Sequence, residues 1–130
     1  MATARQTQRA TKPNYPRRAE IYLTALDPAL GREIQKTRPA LIIQNDVSNR
    51  LTGITILAPI TSTVRFPLNP VHVLLSADRT TGLSVTSVAL FNQIRPVDRI
   101  RLIKRLRMVD EETLEWVNEA IQISLGLMRF

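Results

Sequence analysis

Residues 54–63 read ITILAPITST, an apolar run that passes directly into three hydroxyl side chains. A second isoleucine-rich run, residues 40–44, follows the dipeptide Arg38-Pro39. Apolar runs of this length between turn-forming residues are typical of core β-strands rather than of helices. The two runs therefore predict two core strands of a β-sheet.

Shorter segments around these runs predict the other strands. They are residues 20–26, 71–76, 87–92, 93–98 and 102–109. Residues 27–39 predict a long loop, and Asn45-Asp46 predicts a turn. The expected fold class is mainly β (α+β): a small, strongly bent antiparallel sheet or barrel of short strands, partly covered by a C-terminal helix.

The C-terminal segment has the pattern of an amphipathic helix. Asp110 is a typical N-cap, and the acidic residues that follow it complement the positive end of a helix dipole. An apolar stripe then recurs every three or four residues, the period of one helix face. Its members are Leu114, Val117, Ile121, Leu125 and Met128. The pattern predicts a helix of about four turns.

Charge divides the chain into two parts. The 130 residues include 18 Lys and Arg against 11 Asp and Glu, a net charge of +7, and fifteen of the cations are arginine. Five of the seven net charges lie in residues 1–18, which contain no acid. We expect residues 1–17 to be a basic, disordered arm and residues 18–130 to be the folded domain. A basic chain favours a polyanionic partner, such as nucleic acid, an anionic membrane surface or an acidic protein.

Composition excludes several classes of site. The chain has no cysteine, which excludes disulfides, thiolate zinc sites and cysteine nucleophiles. His72 is the single histidine, and its place within an apolar strand favours a structural role. The four glycines fit neither a dinucleotide-binding nor a Walker A motif. No apolar stretch approaches the ~20 residues that cross a bilayer.

Polar side chains follow the predicted strands at the points where these end. Thr61 and Ser62 close one strand, Asn45 and the pair Asn92-Gln93 follow two others, and Arg38 precedes the run at residues 40–44. Such groups at the rim of a barrel can converge on a substrate phosphate. The alternative is that they form turn hydrogen bonds and solvated surface charges.

Several motifs, in order, resemble the MazF/PemK toxin family. They are residues 20–23 (EIYL), 36–46 (KTRPALIIQND), 58–62 (APITS), 71–75 (VHVLL), 93–95 (QIR) and 124–127 (SLGL). The resemblance covers nearly all of residues 18–130. It implies an SH3-like β-barrel with a C-terminal helix and a cytoplasmic homodimer. It also implies the toxin of a type II toxin–antitoxin pair, an endoribonuclease that cuts single-stranded RNA at short sequences.

The resemblance also implies roles for individual residues. Arg38 and Thr61 match the family's catalytic arginine and threonine. The other residues that we expect to contact RNA are Arg18, Glu33, Asn45, Ser62, Asn92 and Gln93, with Tyr22 or Phe66 available for stacking. No metal or cofactor is expected, since the substrate's own 2′-OH attacks the phosphorus. The expected partner is an antitoxin whose acidic segment covers the RNA groove.

The chain departs from the family at two places. Ala19 stands where the family usually has a glycine after arginine, and a glycine there would let RNA approach the backbone closely. Leu90 and Asn92 replace the Arg and Asp of the PemK-type relatives, so their Arg/Asp mechanism does not carry over. Two alternatives stay open: a non-catalytic RNA-binding barrel and a gyrase-directed toxin on a similar barrel.

Overall fold

A computed structural model of the chain describes residues 14–28, 31–34 and 36–129. Most of the predicted basic arm, residues 1–13, therefore lies outside the described residues. Within the described ranges, seven strands, two helices and one 3₁₀ turn follow in chain order. They are β1 Glu20–Ala25, β2 Thr37–Ile42, α1 Asp46–Leu51, β3 Ile54–Thr61, β4 His72–Leu75, β5 Ser87–Leu90, β6 Arg95–Asp98, a 3₁₀ turn Arg99–Arg101, β7 Leu102–Met108 and α2 Glu111–Ser124.

All strand pairs are antiparallel. The order across the sheet is β4-β5-β3-β2-β1-β7, and β6 pairs with the first half of β3. This confirms the predicted mainly β fold with a C-terminal helix. Among the described residues no pairing joins β4 to β7, so the strongly bent sheet forms an open path rather than a closed ring of hydrogen bonds.

Alternate residues of the strands pack into two separate cores. The larger core contains Ala58 and Ile60 of β3 together with Phe91 and Val117, so it joins the sheet to α2. The smaller core contains Leu57 of β3 with residues of β1, β2 and β6 on the other side of the sheet. Because successive side chains of a strand point to opposite faces, β3 contributes to both cores.

Helix α2 begins where the Asp110 signal predicts and ends before the last two members of the predicted stripe. Asp110 caps its N-terminus, and Gly126, at φ 76°, follows its C-cap. Leu127 N donates to Gln122 O and Gly126 N to Ile123 O, the pair of bonds that defines a Schellman ending. Leu125 and Met128 of the predicted stripe therefore lie beyond the helix and are exposed. In the described ranges, no helix combines the length and apolarity that crossing a membrane requires.

Two elements differ from the sequence prediction. Strand β2 begins at Thr37, inside the predicted loop, although Pro39 has no N–H to donate. Lys36 O and Ile42 O accept bonds from the β1 side, so the alternating backbone of β2 turns Pro39 away from β1. The β2–β3 ladder begins only at Ala40. Pro39 therefore interrupts neither ladder.

Helix α1 replaces the turn predicted at Asn45-Asp46. The Asn45 side chain accepts from Ser48 N at 2.8 Å and caps this helix. Asn49, which is fully buried, holds it to the sheet: its Oδ1 accepts from Thr55 Oγ1 at 2.7 Å and from Gln44 Nε2 at 2.9 Å. Its Nδ2 donates to Gln44 O at 2.9 Å.

Ala19, the departure from the family pattern, is buried and has φ 80°. A left-handed conformation costs a residue with a Cβ about 1–2 kcal/mol. Ala19 N donates to Ile42 O at 2.9 Å, and Ala19 O accepts from Val109 N at 3.0 Å. Both backbone groups are thus used within the fold, which argues against a direct role for this position in RNA binding.

We predict that Asn49→Ala lowers the free energy of unfolding by about 2–3 kcal/mol, because it leaves the buried Thr55 hydroxyl without its acceptor. Urea unfolding measures this change. Gln122→Ala, at an exposed position of α2, is the control and is expected to stay within about 0.5 kcal/mol. Equal effects of the two substitutions would contradict the structural role of Asn49.

We also predict that the cap of α2 weakens in acid. Hydrogen bonds from the Thr113 side chain and backbone N–H lower the pKa of Asp110 below its ordinary value of 3.8. A carboxylate with a lowered folded-state pKa stabilises the fold above the unfolded pKa and loses this effect as pH falls through the folded one. The stability difference between wild type and Asp110→Asn should therefore shrink below about pH 4. A difference that stays constant in urea unfolding down to about pH 2 would contradict this.

Candidate active site

Arg38 and Thr61 lie on neighbouring strands of the sheet. Arg38 is opposite Thr24 of β1, and Thr61 is the last residue of β3. The β2–β3 register pairs Ala40 with Pro59, and its extension by two residues puts Arg38 opposite Thr61 on the same face. Both side chains are half-buried. The catalytic roles of Arg38 and Thr61 stay predictions from the resemblance.

The β1–β2 loop is tied to the start of β6 by several contacts. Gln93 Oε1 accepts from Ile34 N at 2.9 Å, and Arg95 Nη1 lies 3.8 Å from Glu33 Oε2. A second nitrogen of Arg95 donates to Leu26 O, at the beginning of the loop. Glu33 and Gln93 are thus brought together, and the loop that they hold leads into Arg38. Sequence reasoning missed this use of Arg95, although the Gln-x-Arg motif was visible.

Other predicted residues lie at separate positions. Ser62 is exposed directly after Thr61, whose Oγ1 accepts from Thr63 N at 3.2 Å. Asn92 is exposed, and its Oδ1 lies 3.3 Å from His72 Nε2 on the adjacent strand. The half-buried position of His72 and this contact agree with a structural histidine.

Arg18 and Asn45 lie at the opposite end of β2 from Arg38. Arg18 Nε donates to Ile43 O at 2.9 Å and its Nη2 to Asn118 Oδ1 at 2.6 Å. Ile43 is five positions from Arg38, about 16 Å along an extended strand. Both side chains make contacts within the fold, and their part in RNA binding stays a prediction.

The two aromatic candidates have different surroundings. Phe66 is 72% exposed in the segment that follows Thr61. Tyr22 is half-buried, and burial, followed by the neighbouring Glu20 carboxylate, raises the pKa of its phenol above 10.0. Tyr22 therefore keeps its proton at neutral pH and can donate a hydrogen bond.

The candidate site combines the guanidinium of Arg38 with the hydroxyl of Thr61. The Arg38 guanidinium presents donors in a planar fork that matches two oxygens of a phosphate. The Thr61 hydroxyl can donate one bond and accept others. Within the described part of the chain, no group of three or more His, Asp or Glu side chains is arranged to hold a metal ion.

Curated relatives resemble the chain over nearly its whole length. Endoribonuclease EndoA of Bacillus subtilis is 40% identical over 114 residues, which cover 88% of this chain and 97% of the relative. Endoribonuclease MazF of Staphylococcus saprophyticus is 39% identical over 111 residues, which cover 85% of this chain and 92% of the relative.

Solved structures share the fold. MazF of Deinococcus radiodurans superposes with a TM-score of 0.74 at 27% identity, over 88% of this chain and 99% of that one. A MazE–MazF structure from the same organism matches with a TM-score of 0.67 at 26% identity, over the same shares. A family model described as PemK-like, MazF-like toxin of type II toxin–antitoxin system matches residues 17–125. With this match and relatives close to 40% identity, the chain belongs to the PemK-like, MazF-like toxin family.

Proposed function

We propose that the protein is the toxin of a type II toxin–antitoxin pair and an endoribonuclease that cleaves single-stranded RNA at specific sequences without a metal ion. Family membership and the relatives named as endoribonucleases support the activity. The assignment of the centre is supported by the β2–β3 register, which, if continued two residues past the Ala40–Pro59 pair, would bring Arg38 opposite Thr61. A phosphate at this point would meet a fixed positive charge and a hydroxyl together.

The substrate supplies the nucleophile in this reaction. The 2′ oxygen of one nucleotide attacks the adjacent phosphorus, and the bond from phosphorus to the 5′ oxygen of the next nucleotide breaks. The products are a 2′,3′-cyclic phosphate and a 5′-OH. The proton leaves the 2′-OH and one is delivered to the 5′ oxygen, so the step consumes no net proton. The protein has to stabilise charge on the phosphorane and to guide these proton transfers.

Arg38 acts first as the clamp on the phosphorane. A guanidinium is a poor proton acceptor and a good partner for two non-bridging oxygens. Thr61 orients a phosphate oxygen or relays a proton through its hydroxyl. The neighbouring Ser62 adds a second hydroxyl at the exposed end of the same strand.

Base recognition belongs to polar groups around this centre. Glu33 and Gln93 are held close to the loop that leads into Arg38, so they are the first candidates to contact the bases beside the cleaved bond. Asn92 presents an exposed amide in the turn between β5 and β6. Arg18 and Asn45 would contact more distant nucleotides, because they lie at the far end of β2.

Two protein partners complete the proposal. The MazE–MazF structure of Deinococcus radiodurans pairs a relative of this chain with a second protein. We assign to this chain a cognate antitoxin whose acidic segment covers the RNA-binding surface. We further assign a homodimer, as the family resemblance implies.

We predict that Arg38→Ala reduces RNA cleavage by about 10²–10³-fold, because it removes the charge that opposes the phosphorane. Cleavage of a mixed-sequence RNA in excess chelator is followed by sequencing of the new 5′ ends. Arg50→Ala, an exposed arginine of α1, is the control for loss of charge and should retain activity. Full activity of Arg38→Ala would contradict the assignment. RNA bound but left intact by wild type would favour the non-catalytic barrel.

We also predict that an acidic antitoxin segment and RNA exclude each other. Both would bind the surface around Arg38, and a basic surface favours an acidic segment electrostatically. Fluorescence anisotropy of a labelled, non-cleavable 2′-O-methyl RNA should fall to the free value when the peptide saturates. A ternary complex at saturation would contradict a shared surface.

A further inference from the structure

A second concave surface lies beside β7, the edge strand of the sheet. It is a cleft of about 940 Å³ between β1, β7, the chain entering β1 and the turn around Thr80. We call it the β7 cleft. The side chains that characterise it are Tyr15, Arg17, Tyr22, Arg79, Arg105 and Arg107. None of these residues except Tyr22 entered the sequence-based prediction of the site.

The β7 cleft is strongly basic. Four arginines line it against a single acid, Glu20. The side chains of Arg17, Arg79 and Arg107 make no hydrogen bond or ion pair with any residue in the described ranges, and all three residues are exposed. Unpaired, solvated guanidinium groups on one concave surface create a positive potential that attracts anions.

Glu20 is engaged in holding the cleft together. Its carboxylate is buried, and one oxygen forms an ion pair with Arg105. The other oxygen accepts from Arg17 N at 2.7 Å and lies 3.5 Å from the Tyr22 hydroxyl. The Glu20 carboxylate is therefore occupied by contacts within the protein. The unpaired guanidinium groups of the cleft remain available to a ligand.

The wall that carries Arg79 is fixed in place. The Asp78 carboxylate accepts from Thr80 N at 2.9 Å and from Thr81 N at 3.1 Å. Gly82 has φ 72° and packs so tightly on β7 that a Cβ there would lie 2.9 Å from Arg107 Cγ. Arg79 and Arg107 are thus presented from two elements that are in contact, and binding a ligand between them would order little additional backbone.

Two tyrosines give the β7 cleft faces on which bases can stack. Tyr15 and Tyr22 both line it and are half-buried, so their rings are already restrained. Aromatic rings interleaved with cations are the common design of surfaces that bind single-stranded nucleic acid. An acidic peptide would use the arginines but would gain less from the rings.

The β7 cleft lies on the same face of the sheet as Arg38. Tyr22 and Thr24 alternate with Leu23 and so point to one face, and Thr24 is paired with Arg38. Tyr22 and Thr24 are two positions apart along the strand, about 7 Å. A nucleic-acid strand held at Arg38 can therefore continue across β1 into the cleft.

From this geometry we propose that the β7 cleft binds single-stranded RNA outside the cleaved linkage, with Arg17, Arg79 and Arg107 on phosphates and Tyr15 and Tyr22 on bases. The choice of RNA as the polyanion rests on the proposed function. The cleft makes the substrate site longer than the few nucleotides around Arg38 and favours long unpaired RNA over short fragments.

The test compares Arg79→Gln/Arg107→Gln with the matched control Arg50→Gln/Arg129→Gln, which removes the same charge from exposed positions elsewhere. The probes are 2′-O-methyl oligouridylates of 5 and 20 nucleotides, titrated at several salt concentrations. The cleft variant should bind the 20-mer about tenfold or more weakly. Its slope of log affinity against log salt should fall by about 1.4, or ~0.7 for each phosphate that the protein no longer neutralises. Relative to wild type, the affinity of the cleft variant for the 5-mer should change less than about twofold. The affinity of the control variant for the 20-mer should also change less than about twofold.

Stacking is tested separately at Tyr15. Tyr15→Leu should weaken binding of the 20-mer by about tenfold, whereas Tyr15→Phe should retain it because the ring is kept. Unchanged 20-mer binding in the cleft variant would overturn the proposal, as would equal losses in the cleft and control variants. A poly-glutamate peptide that binds at the arginines and is not displaced by the 20-mer would assign the cleft to an acidic protein instead.

Cleavage of unmodified RNA separates this proposal from the proposed function. If wild type cleaves RNA and the cleft variant binds the 20-mer normally, the cleft proposal alone fails. If wild type leaves RNA intact and the cleft variant still loses 20-mer binding, the cleft stands and the nuclease assignment fails. Unchanged thermal unfolding of the variants confirms that the exposed substitutions leave the fold intact.

Discussion

The architecture depends on the division of hydrogen bonding along β3. One side of this strand pairs with β2, whereas the other side pairs first with β6, from Ile54 to Leu57, and then with β5, at Ile60 and Thr61. Alternate side chains of this strand fill the two cores, one on each face of the sheet. Continued past the Ala40–Pro59 pair, the β2–β3 register brings the end of β3, with its hydroxyls, towards the start of β2. The candidate site is therefore a consequence of strand pairing rather than of a specialised loop.

The main strands and the C-terminal helix could be predicted because buried side chains recur along the sequence with the period of a strand or a helix. The apolar runs of β2 and β3 and the stripe of α2 are visible in the sequence since their side chains fill the two cores. Helix α1 escaped prediction because it is held by Asn49, a buried polar residue whose partners come from the sheet. The start of β2 escaped because Pro39 has the local signature of a turn, and only its orientation away from β1 makes it acceptable in a strand.

The site was predictable where a motif carried it and unpredictable where distant segments meet. Arg38 and Thr61 follow from the resemblance, and the register explains why they belong together. Two features join residues that are far apart in the chain: the contacts of Arg95 with the β1–β2 loop, and the β7 cleft. No local sequence pattern predicts either of them. The structure also shows where part of the net charge of +7 lies. Some of the excess arginines of the folded domain line the β7 cleft, where the buried Glu20 carboxylate forms an ion pair with Arg105.

Ala19 limits which substitutions the chain can accept. Its left-handed backbone disfavours β-branched side chains, and its burial disfavours the Asn and Asp that otherwise tolerate such a conformation. Glycine and alanine are the residues that satisfy both conditions. An exchange between them sets a backbone strain of about 1–2 kcal/mol against the burial of one methyl group, about 0.8 kcal/mol. Every larger side chain would carry the same strain and would also have to fit into a closed core.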